Sequence, residues 1–178
     1  TIRLNDRTQP IHRGERYEDP LDEVLQLRNM GRVTGGGTQL AATGEIAFCD
    51  IEVELHGSLH DALPVMKSEI ERLGAPRGSA LLLHEQQTVP CGQLEGMAIY
   101  LDGHGLPEHV YRDCDVNIVV SELCQNLGDG GELHSYWEGA TETALYFYGP
   151  SFATMCERTR DFVSSYPLCQ QARVVQIA

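Results

Sequence analysis

The sequence is poor in positive charge. Lys67 is its only lysine, and 13 basic residues stand against 26 acidic ones, for a net charge of −13. So acidic a chain repels a phosphate backbone or an anionic bilayer, which excludes nucleic acid and membrane surfaces as expected partners. A basic protein partner, a cation or plain solubility remains open. Long apolar runs are also missing. No stretch approaches the ~18 apolar residues of a membrane helix. The opening TIRLNDRTQPIHRGER is polar, without the apolar segment of a secretory signal. No CxxC pair occurs among Cys49, Cys91, Cys114, Cys124, Cys156 and Cys169. Cysteines scattered this way read as reduced thiols, several of them small core hydrophobes, and point to the cytoplasm.

What is present is one order of elements, twice. Asp19-Pro20 opens a helix with proline at its first position, Leu21, Val24, Leu25 and Arg28 continue it, and Gly31 stops it. Arg32 to Leu40 and Glu45 to His56 form a hairpin around Ala42-Thr43-Gly44. Ser58, with Asp61 three residues on, reads as the cap of a second helix with the stripe Leu59, Leu63, Met66, Ile70 and Leu73. Ala80 to His84 is a short strand. After a polar connector (Glu85 to Gly92), the pattern returns: strand Gln93–Leu101, helix Val116–Leu127, strands Glu132–Glu138 and Thr143–Tyr148, a helix capped by Ser151, and strand Arg173–Ile177.

Strand, helix, strand, strand, helix, strand is the ferredoxin-like order. The expected fold is therefore α+β, with two tandem ferredoxin-like (βαββαβ-type) units on antiparallel sheets. The expected divisions are an N-terminal arm at 1–18, a first unit at 19–88 and a second at 89–178. The arm carries Arg3, Arg7, Arg13 and Arg16 and reads as extended or poorly ordered, although part of it can supply the first unit's opening strand. The segment ETALYFYGPSF…YPLCQQARVV resembles a group of small uncharacterised bacterial proteins with the same Tyr-Gly-Pro strand-to-helix corner. The resemblance covers the last third of the chain and implies structure, with no activity.

The clearest strand alternates. Cys49, Ile51, Val53 and Leu55 point one way; Asp50, Glu52, Glu54 and His56 point the other. Residues two apart on a strand lie about 6.5–7 Å from one another, so the three carboxylates form a row that a cation or a basic partner would relieve. A solvated sheet face is the simpler alternative. On the matching face of the second unit the pattern places Tyr146 and Tyr148. The neighbouring strand adds either His134, Tyr136 and Glu138 or Leu133, Ser135 and Trp137. The expected binding surface is Asp50, Glu52, Glu54, His56, His134, Tyr136, Tyr146 and Tyr148, aromatic contact area beside an acidic stripe.

Other motifs are weaker. His56, His60 and Asp61 mimic a metal motif, but Gly57 interrupts it at a strand-to-helix corner. Cys114 and His109 lie in an acidic loop that should raise a thiol's pKa, the wrong direction for a nucleophile. Gly35-Gly36-Gly37 lacks the lysine and following helix of a phosphate loop and marks a bulge or a close backbone approach. The expectation is an acidic non-catalytic binding protein for a basic protein partner, inhibitor- or immunity-like, without cofactor or metal. The alternative is a small α+β-barrel-type enzyme acting on a small molecule, with or without a metal, using His56, His134, Tyr136, Tyr146 and Glu52.

Overall fold

A computed structural model describes residues 1–84 and 87–178. The chain divides into two compact units, Thr1–Leu94 and Glu95–Ala178. Residues 85 and 86 of the expected connector lie outside the described residues.

Unit 1 runs β1 (Ile2–Leu4), α1 (Pro10–Arg13), a wider helical turn (Gly14–Glu18), α2 (Asp19–Leu27), β2 (Gly31–Leu40), β3 (Ile46–Leu55), α3 (Leu59–Arg72), β4 (Ser79–Leu82) and β5 (Thr88–Cys91). Its sheet has the order β2-β3-β1-β4-β5, every pair antiparallel. Leu21 and Leu25 of α2 and Met66 and Ile70 of α3 pack on Ile51 and Leu81 of the sheet, which places both helices on one face. Burying one such Ile or Leu contributes about 2 kcal/mol, so this stripe-on-strand match is what holds the unit together.

Unit 2 runs β6 (Glu95–Asp102), α4 (Glu108–Asp113), α5 (Val116–Leu127), β7 (Glu132–Glu138), β8 (Glu142–Gly149), α6 (Phe152–Ser165) and β9 (Arg173–Gln176). Its four-stranded sheet has the order β7-β8-β6-β9. Val119 and Leu123 of α5 and Met155 of α6 meet Ile99, Leu145 and Phe147. Both sheets share one ferredoxin-like strand order, and unit 1 adds β5 outside it. The fold is α+β with two antiparallel sheets in tandem, as the pattern implies.

Several expectations are corrected. Residues 1–18 are not a loose arm: β1 is a central strand between β3 and β4, and helix begins at Pro10. Alternation is hard to see in a three-residue strand, and Pro10 starts a helix that does not wait for Pro20. The division falls at Leu94/Glu95, later than 88/89, because Thr88–Cys91 pairs with β4 as a hairpin partner. Ser58 makes no side-chain cap on α3, whereas Ser151 accepts from the Thr154 N–H at 3.3 Å and does cap α6. The preceding Tyr-Gly-Pro corner needs its glycine for room. A Cβ on Gly149 would lie 2.2 Å from the Gly130 carbonyl oxygen.

Candidate functional site

β3 presents the carboxylate row as the alternation requires. Cys49 and Ile51 are buried, Val53 and Leu55 pack partly against the core, and Glu52, Glu54 and His56 are exposed. The cross-strand register then decides the row's charge, because residues directly opposite in an antiparallel pair share a face. Arg3 of β1 stands opposite Asp50, and Arg32 of β2 stands opposite Glu54.

Arg3 grips Asp50 with two parallel bonds, Nε to Oδ1 at 2.9 Å and Nη2 to Oδ2 at 2.9 Å, while its guanidinium also lies 4.0 Å over the Phe48 ring. The hydrogen bond that Arg3 donates to Asp50 raises the Arg3 pKa, against the opposing effect of desolvation. Arg32 Nε donates to Glu54 Oε2 at 2.8 Å and holds that carboxyl below its ordinary range. Neither arginine announces its role in the sequence, since register is a long-range property.

Glu52 is different. Opposite it on β2 stands Gly35, at a register shift between Val33 and Gly35, so β2 sets no arginine against its carboxylate, and the Thr34 hydroxyl reaches only its backbone carbonyl, at 3.3 Å. Among the described residues its carboxylate accepts only from the Thr1 hydroxyl, at 3.0 Å to each oxygen. Beside it opens a cleft of about 590 Å³ at one end of unit 1. Ile2, Leu55, Leu59, Met66 and Leu83 form apolar walls, and Glu52 and His84 line its polar part. The cleft can accommodate a long side chain with an apolar stem and a cationic head.

The glycine run is explained by what lies on it. Arg13 is buried, with Nη1 donating to the Gly37 carbonyl at 2.9 Å and to Thr38 Oγ1 at 2.7 Å, and Nε donating to Glu18. A Cβ on Gly36 would fall 2.7 Å from Glu18 Oε1 and 3.0 Å from Arg13 Nη2. The close backbone approach expected there is real: the Asp50 carbonyl oxygen, also 2.7 Å from that Cβ position, and a part-buried ion pair fill the space. Nearby, Tyr17 donates its hydroxyl proton to Asp6 Oδ2 at 2.6 Å. This polar cluster is not legible in the sequence because its members come from three separate segments.

The aromatic half of the expected surface is not a surface. Tyr146 and Tyr148 are each 1% exposed, and His134 is buried with its ring centroid 4.5 Å from that of Tyr148. Tyr136 is 57% exposed but stands on the opposite side of the sheet. A register shift between Leu133 and Ser135 sets Ser135 against Tyr146 and Tyr136 against the core residue Leu145. One extra residue in β7 thus breaks the period of two on which the reading depended.

His56 follows the end of β3 and His60 lies in the first turn of α3, exposed and 3.3 Å from Asp61; the two do not share a helix. Cys114 packs on the core of unit 2, beside the Tyr166 hydroxyl. No hydrogen bond joins it to His109 among the described residues. Burial pushes the Cys91 and Cys169 thiols up to about 11 and raises Cys49, so these groups are protonated near neutrality. Among the described residues no group of three or more His, Cys, Asp or Glu is gathered as a cation site would require, and no helix is long and apolar enough to cross a membrane.

The site is therefore one carboxylate with no arginine partner among the described residues, at the mouth of a half-apolar cleft, between two carboxylates that arginines occupy. No family model and no curated protein matches this chain.

Proposed function

We propose that the chain is a non-catalytic binding protein for a basic protein partner, and that Glu52 and its cleft receive an arginine or lysine side chain of that partner. The observation that carries this reading is the unequal state of the three carboxylates. A basic partner reaching Asp50 or Glu54 must displace Arg3 or Arg32, and a surface pair returns only about 0–1 kcal/mol, so exchange there gains nothing. Glu52 has no ion pair among the described residues and has apolar walls beside it for the alkyl stem.

Charge supports the same reading at longer range. Unit 1 has 14 acidic and nine basic residues, and unit 2 has 12 and four, so net charges of −5 and −8 draw a basic partner toward both. Such fields act mainly on encounter rate and selectivity, as an inhibitor- or immunity-like protein needs. All six cysteines are free thiols, which supports a reducing, cytoplasmic setting.

The test is binding of fluorescein-labelled peptides of one length, rich either in arginine and leucine or in glutamate and leucine, followed by anisotropy. The basic peptide is expected to bind and to weaken as salt rises. Glu52→Gln is expected to cost roughly ten-fold in affinity, and the double variant Asp50→Asn/Glu54→Gln less than three-fold. Equal losses for the two, or equal binding of the acidic peptide, would reject the assignment of Glu52.

A further inference from the structure

The two units share a strand order but treat one sheet edge differently. In unit 1 the outer side of β4 is covered by β5 through four successive residue pairs, Ser79 with Cys91 to Leu82 with Thr88. In unit 2 the equivalent strand, β9, has β6 on one side and, among the described residues, no strand on the other. All four of its residues are exposed, Val174 and Val175 at 38% each. Natural sheets protect such an edge with proline, lysine, a bulge or a covering segment. Arg-Val-Val-Gln has neither proline nor lysine, and its arginine turns back onto the sheet, bonded to Glu142 at 2.9 Å and stacked 4.5 Å over Tyr100.

The backbone is set for pairing. The Ile177 N–H bonds to the Gly96 carbonyl at 2.9 Å. Hydrogen-bonded positions recur every second residue in an antiparallel ladder, so Arg173 and Val175 bond inward and Val174 and Gln176 offer N–H and C=O outward. Between β9 and α6 lies a groove of about 460 Å³, lined by Cys156, Val163, Cys169, Ala172 and Val174, with Arg160 among its lining residues.

Charge identifies the occupant. Arg112, Arg158 and Arg173 are paired with Asp113, Asp129 and Glu142, whereas Arg160 has no ion pair among the described residues. Glu157 and Asp161 lie beside Arg160 on the same exposed side of α6, three residues before it and one after. A stripe that carries both signs is its own complement when two copies meet antiparallel, so that Arg160 of one copy meets Glu157 or Asp161 of the other. An antiparallel edge strand is likewise its own complement, with Val174 of one copy opposite Gln176 of the other and Val175 opposite Val175, which sets both α6 helices on one face. An interface in which the same patch serves both partners is the commonest form of symmetric dimer.

We propose that two copies of this chain pair through β9, antiparallel edge to edge, with the α6 stripes closing over the joint as ion pairs between copies. The two four-stranded sheets become one of eight, and the role of β5 in unit 1 is taken in unit 2 by a second molecule.

The experiment is mass measurement by light scattering on the 178-residue chain across a concentration series, with circular dichroism to confirm folding. The wild type is expected at twice the chain mass of 19.7 kDa at tens of micromolar. Val174→Pro removes an outward N–H while sparing the ladder to β6, and is expected to give a folded monomer. Arg160→Glu, a surface change on a helix, is expected to weaken the dimer at least ten-fold, as is Glu157→Arg/Asp161→Arg. Mixing those two variants is expected to restore the doubled mass. A wild type that stays monomeric throughout overturns the proposal. So does a dimer that survives both Val174→Pro and Arg160→Glu, or a mixture of the charge variants that remains monomeric.

Discussion

The two units put the same face of the same sheet to opposite uses. On β3 of unit 1 the positions between core residues are Asp50, Glu52 and Glu54, partly or fully exposed, the first and last balanced by arginines from β1 and β2. On β8 of unit 2 the corresponding positions are Ala144, Tyr146 and Tyr148, all buried. Topology thus dictates where a side chain points, while its chemistry decides whether that direction ends in water or in packing. The comparison also shows how charge is handled. Unit 1 supplies counter-charges for its acidic row from neighbouring strands. Unit 2, with four arginines against 12 carboxylates, leaves most of its acid uncompensated.

The comparison breaks most visibly if Tyr146 is tested as though it were a surface residue. Removing a fully buried aromatic leaves a cavity, so Tyr146→Ala is expected to cost about 4 kcal/mol in urea unfolding. Glu52→Ala is expected to stay within about 0.5 kcal/mol. A small loss for Tyr146 would restore it to the surface. The next largest effect concerns the ion pair beneath the glycine run. Arg13→Ala strands the Glu18 carboxylate in a poorly solvated site and is expected to cost about 3 kcal/mol by the same assay. The two corner serines sharpen the contrast further. Ser151→Ala removes a real cap and is expected to lower stability by about 1 kcal/mol, while Ser58→Ala, which removes none, leaves it unchanged.

The smallest effect is electrostatic. Arg32 lowers the folded-state pKa of Glu54, so whatever stability the pair adds is complete above the ordinary glutamate range and is lost as pH falls through the lowered value. In an NMR titration the Glu54 carboxyl is expected to titrate below a normal glutamate in the wild type and to move up in Arg32→Ala. An unchanged midpoint would show that the pair does not persist in solution.

Long, strongly periodic elements were legible. The stripe of α3, the alternation of β3 and the cap at Ser151 each depend on residues within a few positions of one another. β1, the wider turn at 14–18 and the strand role of Thr88–Cys91 were not, because each is short and gains its conformation from partners far along the chain. Of the expected binding surface, Glu52, Glu54 and His56 are open as read and Asp50 is half-covered by its arginine. The aromatic half failed at a single extra residue near His134, since a bulge leaves no local mark and inverts every side chain beyond it.

By itself the sequence determined the repeated strand and helix order, the acidic balance and the face on which Asp50, Glu52 and Glu54 stand, because periodicity and charge are properties of neighbouring residues. Only the tertiary structure decided which of those carboxylates meets an arginine, which aromatics are enclosed and which sheet edge stays open. Those outcomes follow from strand register and order, and they arise when segments distant in the chain come to lie side by side.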